Sequence, residues 1–285
     1  MKIENARFAA EIAELGAELK SLIDKRTGEE LMWNADPKYW KRTSPVLFPN
    51  VGKTYGNTLR LPEGAYKTKQ HGFARDSVFT LKEQTASSCL WALEDSEATR
   101  AEWPYAFRLE IGYTLKEDGM EVLWRVTDTG EKPFAFTIGG HPAFLLGGVK
   151  EGCAVEIPGK DSLLVKYLDP ATGCWDLSNA VTLPLKDSRL ALTEELFARD
   201  ALICDGGQIE DIRLIGADGR LRAGLRCPGF PNFGIWSVAG APFVCLEPWQ
   251  GRADDNGFTG TPFEKPGAAA LKPGETREWT YEIYR

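Results

Sequence analysis

The sequence lacks any stretch that would place the chain in a membrane or send it across one. It contains no run of about 18 uncharged apolar residues, the length of a spanning helix, and Met1–Arg7 has no apolar segment of the signal-peptide kind. The six cysteines form no C-x-x-C pair and no zinc spacing, although their even number would permit disulfides. We therefore expect a cytoplasmic protein with free thiols.

Histidine is scarce, and the common catalytic motifs are missing. Only two histidines occur in 285 residues, outside any H-x-H or H-E-x-x-H pattern, so we predict no metal and no cofactor. The chain has no G-x-S-x-G motif, no P-loop and no dinucleotide-binding fingerprint after a strand. Cys245 has no histidine near it in sequence, so a thiol nucleophile is unsupported. A net charge of −7 without a basic cluster argues against nucleic acid and against an anionic membrane surface.

Aromatic and turn-forming residues, in contrast, are abundant. Nine Trp, eight Tyr and fourteen Phe favour strands, and 29 Gly with 17 Pro favour short elements joined by turns. Together they predict an all-β sandwich, folded as one domain over residues 1–285. Strand-like segments are Leu109–Leu115, Glu121–Thr127, Phe134–Ile138, Ala154–Ile157, Leu221–Leu225, Phe233–Val238, Phe243–Leu246 and Trp279–Tyr284.

Two local structures can be predicted in more detail. Residues Leu115–Val122 are expected to form a hairpin around the Asp118-Gly119 turn. The best helical candidate is short and extends from Thr193 to Ala198, with Thr193 as its N-cap.

Each histidine stands beside glycine in turn-like sequence. His71 lies in Gln-His-Gly-Phe-Ala-Arg-Asp and His141 in Gly-Gly-His-Pro-Ala-Phe. Imidazole titrates near neutral pH and often serves as a general acid or base, and neighbouring glycines let the backbone approach a ligand closely. The alternative interpretation is that both are hydrogen-bonded turn residues.

A third candidate is the carboxylate of Glu247, in Cys-Leu-Glu-Pro-Trp-Gln-Gly. It is predicted to sit where the apolar strand Phe243–Leu246 ends in a Pro-Trp turn. Partial desolvation there raises the pKa of a carboxyl group and makes it a better base, and Trp249 offers a flat apolar face for a sugar ring. The alternative is an ordinary strand-end glutamate at a surface turn.

The segment Pro45–Lys53 is an apolar run that breaks into a loop. Its last residues include the amide of Asn50 and the ammonium group of Lys53, which can hydrogen-bond sugar hydroxyls. An equally acceptable interpretation is a proline-bounded strand with solvated ends.

In this order, these stretches resemble the aldose 1-epimerase (galactose mutarotase) family, particularly its LacX-like branch. The resemblance covers nearly the full chain and depends on the ordered set of motifs, since each motif alone is weak. The matching segments are Glu14–Leu22, Glu30–Trp33, Trp40–Gly52, His71–Arg75, Trp103–Phe107, Gly139–Pro142, Gly234–Ser237 and Leu246–Trp249.

The resemblance implies a large antiparallel β-sandwich, the galactose mutarotase-like supersandwich, with a concave sugar-binding face. It implies that Glu247 is the general base that takes the proton of the anomeric hydroxyl, and that His141 is the general acid that protonates the ring oxygen. It implies that His71 helps to hold that oxygen. The ring opens to the free aldehyde, the C1–C2 bond rotates, and reclosure inverts C1 without a cofactor.

The chain departs from the family pattern among the residues expected to bind substrate. Lys53 stands where the family often has arginine, so a point charge replaces a bidentate fork. A sugar-binding aspartate is expected between His141 and Glu247, and we assign it to Asp200, with Asp205 as the alternative. The predicted substrate-binding residues are Lys53, Asn50, Arg75, Asp200 and Trp249.

The predicted function is that of an isomerase, an aldose 1-epimerase (mutarotase) that interconverts the α and β anomers of an aldose. A hexose-phosphate mutarotase is one alternative, and it requires a cationic rim for which Lys53, Arg60 and Arg75 are candidates. A non-catalytic carbohydrate-binding protein of the same fold is the other, and it needs no acid–base pair. The expected partner is a small-molecule sugar, with neither nucleic acid nor membrane, and the chain is expected to be a monomer or homodimer.

Overall fold

The computed structural model describes all residues from 1 to 285 and is built mainly of short antiparallel strands. The first strands in chain order are β1 (Lys2–Glu4), β2 (Phe8–Ile12), β3 (Leu19–Asp24), β4 (Glu29–Glu30), β5 (Val46–Leu47), β6 (Thr58–Leu61), β7 (Gly64–Lys67), β8 (Thr80–Gln84), β9 (Ser88–Glu94), β10 (Phe107–Leu115), β11 (Gly119–Asp128), β12 (Phe134–Phe136) and β13 (Ile138–Gly140). The remaining strands are β14 (Ala143–Leu145), β15 (Ala154–Glu156), β16 (Ser162–Leu168), β17 (Trp175–Pro184), β18 (Arg189–Ala191), β19 (Leu202–Cys204), β20 (Asp211–Ile215), β21 (Leu221–Arg226), β22 (Asn232–Trp236), β23 (Phe243–Gln250), β24 (Ala269–Leu271) and β25 (Thr276–Tyr284). The helices are α1 (Glu97–Glu102) and the 3₁₀ turns Tyr55–Asn57, Ala74–Asp76, Glu195–Phe197 and Pro262–Glu264.

Two large sheets form the body of the protein. The first has nine strands in the order β18-β15-β20-β21-β25-β11-β10-β9-β8. The second has eight strands, seven in the order β17-β16-β19-β22-β23-β13-β5, with β14 also paired to β23. A smaller sheet has four strands in the order β1-β2-β3-β4, and two further sheets pair β6 with β7 and β12 with β24. The prediction of an all-β, large antiparallel β-sandwich is confirmed.

Side-chain alternation determines which face of each sheet is buried. In β11, Met120, Val122, Trp124 and Val126 are fully buried, whereas the residues between them are partly exposed. These side chains join one apolar core with residues of the second sheet. Because each large apolar side chain gains roughly 1.5–3 kcal/mol on burial, a one-residue slip of the strand register would forfeit several such contributions.

The predicted hairpin and the predicted thiol state agree with the structure. β10 and β11 pair Leu115 with Met120, and the Lys116 N–H donates to the Gly119 carbonyl at 2.8 Å, so the hairpin is confirmed. All six cysteines are free and buried. None of the helices has the length and apolar composition needed to cross a membrane.

The helical prediction is only partly correct. The predicted segment forms the single 3₁₀ turn Glu195–Phe197, and the Thr193 hydroxyl accepts from the Leu196 N–H at 3.2 Å. The one α-helix, α1, was missed because it is only six residues long. Its sequence signal is a reciprocal cap in which Ser96 and Thr99 each bond the other's backbone N–H.

The strand that carries Glu247 is longer than predicted. β23 continues through Pro248 and Trp249 to Gln250, so the expected strand end and Pro-Trp turn after Leu246 are wrong. Proline is tolerated there because the neighbouring chain passes from β13 to β14 at this level and forms no regular ladder with Pro248.

Candidate active site

The interruption between β13 and β14 places His141 beside Glu247. β13 pairs Gly139 with Trp249, and β14 pairs Ala143 with Cys245, so the residues between these two pairs lie opposite the middle of β23. His141 Nε2 is 3.3 Å from Glu247 Oε2. Both side chains are buried, with Glu247 only 1% exposed.

Both side chains form the floor of a cleft of about 340 Å³. Six predicted site residues line this cleft: Glu247, His141, His71, Arg75, Asp200 and Trp249. Nine further residues also line it: Trp40, Val51, Gly52, Gln70, Leu168, Ala201, Ile203, Trp236 and Ala253. The lining therefore combines apolar side chains with a small set of polar groups, as in small-molecule sites.

Burial is the main influence on Glu247. It raises the pKa of this carboxyl group well above its usual range, and the nearby charge of Asp200 acts in the same direction. The Trp249 indole lies close enough to oppose part of this rise in pKa but makes no hydrogen bond of normal geometry. Glu247 Oε2 has no hydrogen-bond partner, because its contact with His141 lacks the required angles. This carboxyl oxygen therefore has no partner within the protein.

His141 is enclosed by aromatic rings. Trp40 stacks on it with ring centroids 4.8 Å apart and planes at 29°, and Trp236 meets it edge-on at 5.5 Å. Burial lowers the pKa of His141 to about 3, with the positive charge of Arg75 adding to the effect. An imidazole with this pKa is neutral at neutral pH.

His71 is held by its own loop in a defined orientation. The residue has a left-handed backbone (φ 67°), and its N–H donates to the Gly52 carbonyl at 2.8 Å. The Gly52 N–H in turn donates to His71 Nδ1 at 3.0 Å, so a neutral ring carries its proton on Nε2. Although the ring is partly exposed, its pKa lies well below the usual value. The main cause is desolvation by the surrounding protein, and the charges of His141 and Arg75 act in the same direction. The His71 and His141 rings are 5.7 Å apart.

The aspartate of the cleft is Asp200 and not Asp205. Asp200 also has a left-handed backbone (φ 73°), and its Oδ1 accepts from the Trp236 Nε1–H at 2.8 Å. The Asp205 carboxylate lies outside the cleft and accepts from Lys166 Nζ at 2.6 Å. Of the two assignments left open by the sequence, only Asp200 lies in the same cleft as Glu247 and His141.

Arg75 contributes the only arginine or lysine in the cleft lining. Its Nη2 donates to the Gln70 carbonyl at 2.7 Å, whereas its Nε is buried without a partner. Burial lowers the pKa of Arg75 to about 10, and the charge of Arg42 adds to this effect. The guanidinium group remains positively charged at neutral pH.

Asn50 and Lys53 do not line the cleft. Asn50 donates its amide hydrogens to two backbone carbonyls, at 2.8 and 3.1 Å, and so ties two loops together. Lys53 packs its side chain against Gly173, in the turn between β16 and β17. Arg60 lines a separate narrow cavity. The predicted cationic rim of Lys53, Arg60 and Arg75 therefore does not converge.

Trp249 lies flat within the sheet and exposes only 5% of its surface. A side-chain carbon on Gly139 or Gly234, in the strands on either side, would lie 2.4 or 2.6 Å from its ring, so both positions require glycine. The half-buried rings of Trp40 and Trp236 instead offer aromatic surface to the cleft. Sequence reasoning missed both. Alternation along β22 would have indicated Trp236, once Gly234 was known to pair with Glu247.

One group of side chains in the structure has donor atoms placed to hold a metal ion. Atoms of His141, Cys245 and Glu247 all lie within 4.8 Å of one another. Cys245 and Glu247 are two residues apart in β23 and therefore share a face. No spacing in the sequence indicates this group, because His141 comes from a different segment and the three residues do not form a metal-ligand pattern.

Three comparisons with known proteins agree with one another. The aldose 1-epimerase family profile matches residues 1–201. The plasmid-encoded protein LacX of Lactococcus lactis is 29% identical, over 99% of this chain and 98% of its own. A galactose mutarotase related enzyme of Lactobacillus acidophilus superimposes with a TM-score of 0.93 at 31% identity, covering 100% of this chain and 96% of its own. A galactose mutarotase-like protein of Lactobacillus casei gives a TM-score of 0.91 at 28% identity, over 100% and 99% of the two chains.

Proposed function

The chain belongs to the aldose 1-epimerase family, and from this premise we propose that it is a mutarotase that interconverts the α and β anomers of an unphosphorylated aldose. One observation carries the proposal: Glu247 Oε2 and His141 Nε2 lie 3.3 Å apart on the floor of a sugar-sized cleft. Mutarotation moves protons at two oxygens that are both bonded to C1. An acid and a base for this reaction must therefore lie close together on one side of the sugar.

Each half of the reaction moves one proton to the pair and one proton away from it. Ring opening requires the state of the pair in which the single proton lies on His141. The Glu247 carboxylate then takes the proton of the anomeric hydroxyl, and His141 gives its proton to the ring oxygen as the C1–O5 bond breaks. The electrons of the former O–H bond form the aldehyde C=O. Rotation about C1–C2 follows, and reclosure uses neutral His141 as base and protonated Glu247 as acid. The pair holds one proton throughout.

The remaining cleft residues position the sugar. His71 presents an Nε2–H to the ring oxygen, and Arg75 and Asp200 offer a donor and an acceptor to hydroxyl groups. The acid and the base each contribute typically about 10²–10⁴-fold. Holding the sugar in a reactive orientation between them must supply the rest.

The two alternative functions have less support. A hexose-phosphate mutarotase needs several converging cations, whereas Arg75 alone lines the cleft among the three candidates. A non-catalytic sugar-binding protein has no use for a buried carboxylate and imidazole whose polar atoms are left without hydrogen bonds, since such atoms cost roughly 1–3 kcal/mol each.

Polarimetry of freshly dissolved sugars tests these three functions directly. We expect the protein to accelerate the mutarotation of α-glucose or α-galactose more than that of a hexose phosphate. Preference for the phosphate would support the first alternative. Sugar binding by calorimetry without acceleration of any substrate would refute the enzymatic proposal and support the second.

A further inference from the structure

The acid–base pair has a third neighbour that mutarotation does not use. The thiol of Cys245 lies on the same face of β23 as Glu247, and its Sγ is within 4.8 Å of donor atoms on Glu247 and His141. The chain has only two histidines, and no other thiol belongs to such a group. Cys245 is therefore the only cysteine placed beside both an imidazole and a carboxylate.

The spacing of the three donors suits a small tetrahedral ion. Two ligand atoms bound to zinc at 2.0–2.1 Å in tetrahedral geometry lie about 3.4 Å apart. His141 Nε2 and Glu247 Oε2 are 3.3 Å apart and match this separation without movement. A sulfur bound to zinc at about 2.3 Å would lie about 3.6 Å from each of the other two donors. Cys245 Sγ, which is within 4.8 Å of them, would therefore have to move towards the ion.

The carboxylate donor at this position lacks a partner within the protein. Glu247 Oε2 is buried and makes no hydrogen bond. The side chains of Glu247 and His141 are 2% and 10% exposed. Buried polar atoms are normally paired. Because this carboxylate oxygen has no partner within the protein, it is available to bind an ion that enters from the cleft.

Charge and ligand type select the class of ion. A thiolate, a carboxylate and a neutral imidazole carry two negative charges, so a divalent cation leaves the buried group neutral and limits its desolvation penalty. Sulfur and nitrogen donors favour zinc-like ions, whereas calcium and magnesium prefer sets of oxygen ligands. A fourth position remains open towards the cleft for water.

We propose that His141, Cys245 and Glu247 form a binding site for a thiophilic divalent cation such as Zn²⁺, and that the bound ion inhibits the enzyme. On binding, the Cys245 S–H bond is replaced by an S–Zn bond and its proton passes to solvent, as does any proton on Glu247. No electron transfer is involved. The inhibition, but not the binding, rests on the proposed mutarotase function, because the ion occupies the acid and the base.

Binding is tested with Co²⁺ and Zn²⁺ as probes. Co²⁺ added to the intact protein should give a near-ultraviolet thiolate-to-metal absorption band that saturates at one equivalent of the ion. Zn²⁺ should displace the bound Co²⁺ and abolish the band, and metal binding should release protons. Cys245→Ala should abolish the band and weaken Zn²⁺ binding at least about 100-fold, since losing even an outer partner of a ligand costs 10–100-fold. Cys204→Ala is the matched control, because Cys204 is equally buried without such neighbours.

Retention of tight binding in Cys245→Ala, or absence of the band in the intact protein, would overturn the site. Cys245→Ser, which conserves side-chain size, provides the same test if the alanine variant does not fold. Zn²⁺ should also slow polarimetric turnover of the intact protein reversibly, and Cys245→Ala should keep its turnover and resist Zn²⁺. Tight Zn²⁺ binding with unchanged turnover would refute the proposed inhibition. A protein that shows no turnover at all would refute the proposed mutarotase function, and the Co²⁺ experiment would then test the metal site by itself.

Discussion

Replacing Glu247 with glutamine separates catalysis from folding. Glutamine keeps the shape of the side chain but cannot take a proton, so the turnover number should fall at least about 10²-fold, which is a rise of about 2.7 kcal/mol in the activation barrier. The cleft and its other groups remain, so sugar binding should change much less. A loss confined to kcat is the expected signature of an interaction that acts in the transition state.

The same substitution should leave stability unchanged or increase it. Burial raises the pKa of Glu247 in the folded protein above the value in the unfolded chain. The folded state therefore holds this proton more tightly, and stability falls as pH rises from the unfolded pKa towards the folded one, by up to about 1.4 kcal/mol per pH unit. Glutamine has no such penalty. The advantage of the variant should be absent near pH 4 and grow as pH increases.

Urea unfolding at several pH values, with EDTA present, measures this difference, and polarimetry measures turnover. Glu18→Gln is the matched control, since this buried carboxylate accepts from the Thr43 and Ser44 N–H groups at 2.6 and 2.9 Å, away from the cleft. It should lose about 1 kcal/mol of stability and keep kcat. Near-wild-type turnover in Glu247→Gln would remove this residue from the mechanism, and a stability loss like that of the control would contradict the unpartnered state of its carboxylate.

Three further expectations follow from the site. His141→Asn should lower kcat most, whereas His71→Asn should raise KM as well as lower kcat. Initial-rate polarimetry measures both constants, and circular dichroism checks that the variants fold. The opposite pattern would show that the two roles are swapped, and a loss of only a few-fold in both variants would show that the histidines are structural. Exhaustive chelation should preserve or increase turnover, so a loss restored by a divalent ion would contradict a mechanism based on protein groups alone. Gly234→Ala should destabilise the protein by about 1–3 kcal/mol in urea unfolding, because its new carbon meets the Trp249 ring at 2.6 Å, and wild-type stability would show that the ring can move.

Much of the site could be predicted because its chemistry is carried by rare residues in ordered motifs. The two histidines and Glu247 were identified from local sequence and from the family resemblance, and all three line one cleft. The strand-like segments that contributed to the prediction of a β-sandwich reflect burial on one face of each sheet. These signals are local, so they can be interpreted without knowing which strands are neighbours.

The residues that were missed or wrongly assigned to the site depend on contacts between strands and loops. Trp40 lies in a loop far from His141 in sequence and becomes relevant only by stacking on its ring. Asn50 carries the expected amide group, but the folded loop uses that group for its own backbone. Cys245 gains its neighbours from the crossing of β13 to β14, which no spacing in the sequence encodes.

The backbone setting of the proposed acid and base has a mechanistic consequence. Glu247 is an interior residue of β23 and pairs with Gly234 on β22, while the His141 N–H is fixed to the Pro45 carbonyl at 3.1 Å. Hydrogen bonds therefore hold the backbone of both residues, so the points from which the two side chains extend are set by the protein and not by the sugar. In the proposed reaction, ring opening and reclosure exchange the roles of the two groups while the C1–C2 bond of the open sugar rotates between the two steps. A fixed pair serves both steps equally, since the enzyme need not reorganise between them.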